Sequence, residues 1–402
     1  MTGPSRPRPT AARRRAGLAL TATGALLALP LLSACTDNAA PAGGDDGDPR
    51  AMTVQATDQG CSVSSASAPS GNLTFSVTNA GTKVTEFYLL ASDGLRILGE
   101  VENIGPGLSR DLVLSAPPGS YFTACKPGMV GEGIRSAFAV SDSGDSAAPS
   151  GTDAQLVATA NKNYAAYVKD QTEQLVAKTD AFATAYAAGD DAKARDLYPR
   201  ARVHWERIET VAESFGDLDP KMDLREADLE AGQKWTGWHR IEKDLWPARA
   251  KGYTPLTTAQ RKTYAADLVQ NTATLQGKVK TSTFTVDQIA NGSRGLLDEV
   301  ATGKVTGEEE YWSRTDLWDF QANVDGARVG FEGLRPVVQQ KDPALDTEID
   351  ERFTALQELL DQHRRGTGFV SYDDLSTGEV KQLSDAVNAL AEPLSRLTAA
   401  VV

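Results

Sequence analysis

The stretch Gly237-Trp238-His239-Arg240-Ile241-Glu242-Lys243-Asp244-Leu245-Trp246 has the spacing of an amphipathic helix. Steps of about 100° per residue from Ile241 gather Trp235, Trp238, Leu245 and Trp246 on one side. Glu242 falls among them, and His239 sits at the edge of the same arc. Arg240, Lys243 and Asp244 collect on the remaining face, which is expected to be wet. The stretch therefore reads as the middle of a helix that turns one imidazole and one carboxylate inward. Side chains three apart on a helix have Cβ atoms about 5–6 Å from each other. Burying both costs free energy unless each is partnered. Two arrangements meet that condition: a hydrogen-bonded histidine–glutamate pair in a core, or a shared metal ion. HxxE occurs once in the chain, and its surroundings decide between them.

Around this stretch the pattern is helical from Asp153 onward. Leu156, Ala160, Tyr164, Tyr167, Leu175, Phe182 and Tyr186 recur at helical spacing on a first long helix. Thr257 with Gln260, Thr285 with Gln288, Thr306 with Glu309, and Ser376 with Glu379 match capping boxes and predict later helix starts. All six tryptophans lie between Trp205 and Trp318, where the largest core is expected. Residues 153–402 are thus predicted to form an all-α bundle of about seven to nine helices. Its second helix puts Ile208, Val211, Ala212 and Phe215 on a core face. Glu206, Glu209 and Glu213 lie opposite, with Arg202 nearby. Such an acidic stripe belongs to solvent unless it lines a cleft opposite His239. The next segment, FGDLDPKMDLREAD (215–228), is dense in carboxylates, and Asp219-Pro220 predicts a turn. Asp223 is there either as loop solvation or as a group that reaches a metal.

Upstream, residues 51–142 read as β. Leu73-Thr74-Phe75-Ser76-Val77 alternates with period two, and Asn79-Ala80-Gly81, Pro106-Gly107, Pro117-Pro118-Gly119 and Pro127-Gly128 punctuate short strands. A small β-sandwich is expected. Cys61 and Cys125 both fall in it, and either pair as a disulfide or ligate a soft metal such as copper. Cys125-Lys126-Pro127-Gly128-Met129 has the look of a blue-copper loop. Such sites need two histidines, however, and His204, His239 and His363 all lie outside the sandwich. Glu86, Glu100 and Glu102 offer oxygen donors, although on strands they are expected to face water.

The chain begins as a targeting segment. Arg6, Arg8, Arg13, Arg14 and Arg15 precede an apolar run from Ala16 to Leu32, followed by Ser33-Ala34-Cys35. This resembles a bacterial lipobox, which implies removal of residues 1–34, lipidation of Cys35, and an extracytoplasmic protein anchored to the cell membrane. Residues 35–50 and 143–152 read as polar linkers. Loss of five arginines leaves 36 basic against 54 acidic residues, a net charge of −18. That argues against nucleic acid as a partner and against membrane contact beyond the lipid anchor, and it favours cations.

The stretches HWERIETVAESFGDLDPKMDLRE, TGWHRIEKDLW, SRGLLDEVATGKVTGEEEYW and TDLWDFQANVDGARVGFEGLRP resemble the EfeO-type iron-uptake lipoproteins, as do VENIGPG and the TAC ending at Cys125. The resemblance implies a cupredoxin-like β-sandwich joined to an imelysin-type helical metal-binding domain. It further implies a component that binds iron and passes it to a membrane permease, beside a haem-type peroxidase of the same uptake system. The family's HxxE motif falls on His239 and Glu242. Glu206 or Glu209, and Asp223, stand where the remaining ligands are expected, and Cys61, Cys125, Glu86 and Glu102 mark a second metal site or a disulfide. Where the family often has Ser-His-Thr-Asp, this chain has Ser313-Arg314-Thr315-Asp316.

One nitrogen with carboxylate oxygens suits iron, and admits zinc as a substitute. The alternative is a zinc-dependent peptidase of the imelysin type, but zincins use HExxH, which this chain lacks. A ferritin-like di-iron oxidase needs two Glu-x-x-His motifs, and there are none. A non-enzymatic transport component is the expected class.

Overall fold

In Gly71–Asn79 every second side chain is buried, the signature of a strand with one face on a core. The computed structural model describes residues 48–94, 97–131, 133–144 and 151–402. The expected targeting segment, Cys35 and most of both linkers lie outside the described residues. Nine strands come first: β1 (Ala51–Ala56), β2 (Cys61–Val63), β3 (Ser67–Pro69), β4 (Gly71–Asn79), β5 (Thr85–Leu90), β6 (Ile97–Ile104), β7 (Ser109–Ala116), β8 (Gly119–Cys125) and β9 (Ile134–Ser141). They form two sheets, ordered β2-β1-β4-β7 and β3-β9-β8-β5-β6. Between them Phe75 meets Phe87 and Phe138 at ring-centroid distances of 5.2 and 5.4 Å. Cys61 of β2 and Cys125 of β8 form a disulfide that joins the two sheets. Of the two readings the sequence left open for these cysteines, bridging is the one the structure takes, and neither sulfur is left as a thiolate ligand.

The helices follow: α1 (Gly151–Ala188), α2 (Asp191–Glu206), α3 (Leu218–Asp223), α4 (Gly237–Leu245), α5 (Thr258–Val279), α6 (Val286–Thr302), α7 (Asp316–Lys341), α8 (Pro343–Gln362), α9 (Thr377–Leu394) and α10 (Leu397–Val401). The chain is thus a β-rich region followed by a helical domain. Trp205 and Trp238 are among the largest wholly buried side chains of the helical core. Capping boxes close the starts of α5, α6 and α9 as predicted. α6 lies against β6 and β7. There Asn291 Nδ2 donates to the Val113 carbonyl at 2.8 Å, Arg294 Nη1 to that of Asp111 at 3.1 Å, and the Ser115 N–H to Asp287 at 3.0 Å.

Four local expectations are corrected. The HxxE stretch is a whole nine-residue helix, not the middle of a longer one. Asp244, expected on the wet face, is fully buried; it accepts from Tyr186, Tyr253 and the Leu256 N–H, and pairs with Arg261. The predicted second helix ends at Glu206 and continues as a 3-10 turn over Glu209–Phe215, so Glu206, Glu209 and Glu213 do not share one helical face. Asp219-Pro220 opens not a turn but the short α3. For Asp244 the cause is packing: Tyr186, Tyr253 and Arg261 from other segments close over a position whose helical angle alone points to solvent.

Gly237 shows how tightly α4 is seated. It has φ +84°, and a Cβ there would stand 2.0 Å from the Met222 carbonyl oxygen. Gly292 on α6 likewise lets the Thr210 carbonyl approach to where a Cβ would be 1.9 Å away. These glycines set the distance from α4 to α3 and from α6 to the 209–215 turn. Gly237→Ala is expected to destabilise the protein by about 2 kcal/mol or more, through clash and a left-handed backbone together. Chemical denaturation of wild type and variant checks this, and an unchanged midpoint would refute it.

Candidate metal centre

The end of α3, the helix α4, the loop between α6 and α7, and the facing sides of α2 and α7 converge on one buried basin. His239 and Glu242 are both wholly buried. His239 Nδ1 faces Glu242 Oε2 at 3.2 Å. On the opposite side of the ring, Nε2 is 3.3 Å from Asp223 Oδ1 and 3.3 Å from Glu309 Oε1. Asp223, His239 and Glu309 therefore bring three donor atoms close enough to hold one ion, and His239, Glu242 and Glu310 form a second such group.

Glu242 is held from both ends. Its Oε1 accepts the backbone N–H groups of Trp312 and Ser313 at 2.8 and 2.6 Å, and its Oε2 is the atom against His239. An acceptor so placed fixes the imidazole with its Nδ1–H toward Glu242 and leaves Nε2 turned toward Asp223 and Glu309. This is the carboxylate–histidine arrangement that orients metal-binding imidazoles.

Arg202 stands at the centre, with no exposure to solvent. Its guanidinium is 2.6 Å from Glu206, 3.0 Å from Glu309, 2.6 Å from Glu310 and 3.1 Å from Asp319, and it pairs closely with Asp223. Trp205 Nε1 donates to Asp223 at 2.7 Å. Lys304 Nζ lies 2.7 Å from Glu206 and 2.5 Å from Glu209, and Asn323 donates to the same two carboxylates. Of the residues expected from sequence, the structure brings His239, Glu242 and Asp223 together. Glu206 and Glu209 are gathered around Lys304, a step away from the imidazole, and together with Asp223 they bring three carboxylate oxygens within 4.8 Å of one another. Glu86, expected to face water, is buried, accepts from Tyr88 and lies 3.6 Å from Lys126. Glu102 lies on β6, in the wall of a cavity that also reaches Asp223 and Glu309. Arg314 is turned outward onto Asp373 and the Gly307 carbonyl, away from the imidazole.

Glu309, Glu310, Lys304 and Asp319 were not singled out as site residues from the sequence. Thr306 with Glu309 matched a capping box, but no helix starts there. The chain makes a 3-10 turn at Lys304–Thr306, passes through Gly307 with φ +77°, and reaches α7 only at Asp316. The carboxylate pair Glu309-Glu310 beside this glycine was the available signal.

The electrostatics are those of a basin short of positive charge. Glu206, Glu209, Asp223, Glu242, Glu309, Glu310, Asp316 and Asp319 gather around Arg202 and Lys304, with Arg225 at the edge, 3.6 Å from Glu309. Burial pushes Asp223, Glu309, Glu310, Asp316 and Asp319 upward, but the nearby charges divide them. Asp223, beside Arg202 and His239, and Glu309, beside Lys304 and His239, are held well below the usual carboxylate range. Glu310, crowded by Glu242 and Asp319, stays far above it, and Asp319 is pushed up to about 8 and Asp316 to about 7. For His239, burial and Arg202 favour the neutral ring, yet its contacts with Asp223, Glu242 and Glu309 raise it well above its ordinary value. Asp316 Oδ2 and Asp319 Oδ1 are buried without a hydrogen-bond partner among the described residues. A basin with ionised carboxylates, stored protons and unsatisfied oxygens has the groups with which a protein exchanges protons for a metal cation.

Two outcomes follow. Arg202→Ala leaves its carboxylates uncompensated and is expected to cost about 3–5 kcal/mol, measured as a loss of thermal or denaturant stability. The metal-free protein is also expected to melt at lower temperature as pH rises from about 5 to about 8. Asp316, Asp319 and His239 bind protons more tightly folded than unfolded, so the stability they give is present at low pH and lost as pH rises through their folded values. Asp223 and Glu309 act oppositely, but only below the ordinary carboxylate range, and His204, lowered to about 4 by burial, opposes the three only up to its ordinary value. A melting temperature that climbs across the interval would refute this balance.

The profile of the imelysin family, Peptidase_M75, matches residues 160–397. A Yersinia pestis protein named iron uptake system component EfeO is 35% identical over 376 residues, covering 93% of this chain and 95% of that one. Its namesake in Escherichia coli K12 is 36% identical over 353 residues, 86% of this chain and 90% of its own.

Proposed function

Because this chain belongs to the imelysin family and to the EfeO-type iron-uptake components, we propose that it is the iron-binding member of such a system and holds iron at His239, Asp223 and Glu309. The observation that carries this is the placement of His239 Nε2 at 3.3 Å from both carboxylates, in a basin with more acids than cations. One imidazole nitrogen and carboxylate oxygens suit iron. Zinc is a substitute that the same donors accept.

Within this reading the HxxE pair divides its labour. His239 binds the ion through Nε2, and Glu242 aims it from the Nδ1 side, with its other oxygen on the Trp312 and Ser313 N–H groups. Glu206 and Glu209 hold Lys304 and lower the cost of placing a cation nearby. The ion is taken up outside the cytoplasm by a chain anchored through Cys35. It then passes to a membrane permease, beside a haem-type peroxidase of the same system. The role is non-enzymatic; a zinc peptidase would need a second histidine at the ion, and His204 is bonded to Gln171 instead, at 2.9 Å.

Titration calorimetry with ferrous and ferric iron tests the assignment. His239→Ala, Asp223→Asn and Glu309→Gln are expected to weaken binding by about 100-fold or more, and Glu242→Gln by about 10–100-fold. Gln at 242 still accepts from the imidazole but turns a donor toward the Trp312 and Ser313 N–H groups. Binding should weaken as pH falls, since the metal must displace the proton from His239. Full binding by His239→Ala, or zinc-dependent cleavage of peptides by the wild type, overturns the proposal.

A further inference from the structure

Two cavities lead to the basin. The outer one, about 490 Å³, opens between the 226–228 turn and the 308–312 loop, has Tyr311 and Trp312 in its wall, and ends on His239 and Glu309. The inner one, about 270 Å³, lies beside the sandwich, where Glu102 and Met129 face Asp219, Asp223 and Glu299. Arg225, Asp228 and Glu309 stand in the walls of both.

Arg225 occupies the boundary. Its Nη1 is 3.6 Å from Glu309 Oε2, while the other oxygen of Glu309 is the one 3.3 Å from His239 Nε2. Its Nε is anchored to Asp228 Oδ2 at 2.7 Å on the rim. The side chain of Arg225 is 31% exposed, against 7% for Glu309. Unlike Arg202 and Lys304, which are sealed among carboxylates, this guanidinium therefore sits between solvent and the candidate ligands, on a long side chain with solvent beside it. Arg225 shares the walls of both cavities with Glu309, and its guanidinium stands against Oε2, the Glu309 oxygen that does not face His239.

We propose that Arg225 is the gate of the basin. It closes on Glu309 when the basin is empty and, pivoting on its Asp228 anchor, swings its forked end out toward Glu226 to let a metal cation pass. This rests on the basin being the iron site. The gate governs the rates of entry and exit together, because a barrier that both directions cross leaves the equilibrium between them nearly unchanged. A fixed charge that merely repelled the ion would slow entry and speed exit.

The two are separated by stopped-flow tryptophan fluorescence with ferrous iron under anoxic conditions, with release followed by a ferrous chelator in excess. Arg225→Gln is expected to raise both the association and release rates by about tenfold while the dissociation constant moves by less than about threefold. Arg225→Lys, which keeps the charge but not the forked reach, should fall between. Faster association with slower release overturns the gate in favour of simple repulsion, and wild-type rates in Arg225→Gln overturn it outright. Should thermal unfolding show that Arg225→Gln does not fold, Asp228→Asn takes its place: it frees the guanidinium from its anchor, and both rates should again rise. A wild type that binds no iron sinks this proposal together with the assignment of the basin, whereas tight binding with unaltered rates sinks the gate alone.

Discussion

One buried guanidinium organises the helical domain. Arg202 on α2 gathers Glu206 from its own helix, Asp223 from the end of α3, Glu309 and Glu310 from the loop before α7, and Asp319 from α7. These acids have no other reason to share a dry space, since like charges held apart from water repel strongly. With the guanidinium in place, four separate segments are drawn to one point. Even so the acids outnumber the cations. A core built only for stability would replace such a cluster with apolar groups, because buried ion pairs rarely beat well-packed hydrophobics. A basin that must receive a cation has use for the deficit.

Within that basin the side chain that names the motif is the best-held one. Glu242 is fixed by two backbone N–H groups of the 303–315 loop, so the position of His239 depends on how that loop is folded. The loop in turn is tied to α2 through Lys304 and Arg202. The short helix α4 reaches its place because Gly237 allows the Met222 carbonyl to lie against it. The geometry of one imidazole is therefore set by contacts spread over more than a hundred residues.

This explains what the sequence discloses and what it withholds. The period of Leu73–Val77, the capping boxes at Thr257, Thr285 and Ser376, and the inward turn of His239 and Glu242 all depend on near neighbours, and all are legible. Asp223 was legible through the resemblance to EfeO-type proteins, since its acidic segment alone left loop solvation equally open. Glu309 was not, since Thr306 and Glu309 make the pattern of a helix start, and only the packing of the loop against α2 and α4 decides otherwise. Asp244 misled for the same reason. Its helical angle points away from Ile241, yet Tyr186, Tyr253 and Arg261 close over it from other elements. Arg202 read as one more charge on an acidic stripe, because nothing local marks a guanidinium as central.

The sandwich also acquires a role that its own residues do not suggest. Cys61 and Cys125 are joined and Glu86 is enclosed by Tyr88 and Lys126, while Glu100 and Glu102 meet Glu213 of the helical domain with carboxylate oxygens within 4.8 Å of one another. Its contribution lies at the surface it shares with the helices. α6 is bolted to β7 by side-chain bonds to backbone carbonyls, and β6 carries Glu102 into the cavity that Asp223 and Glu309 also line. There burial together with Glu299 and Glu86 raises the Glu102 carboxyl well above its usual range. A sandwich that closes one side of an acidic cavity reduces the solvent around its charges and strengthens their interactions, and so ties the electrostatics of the basin to a domain that holds none of the three proposed ligands.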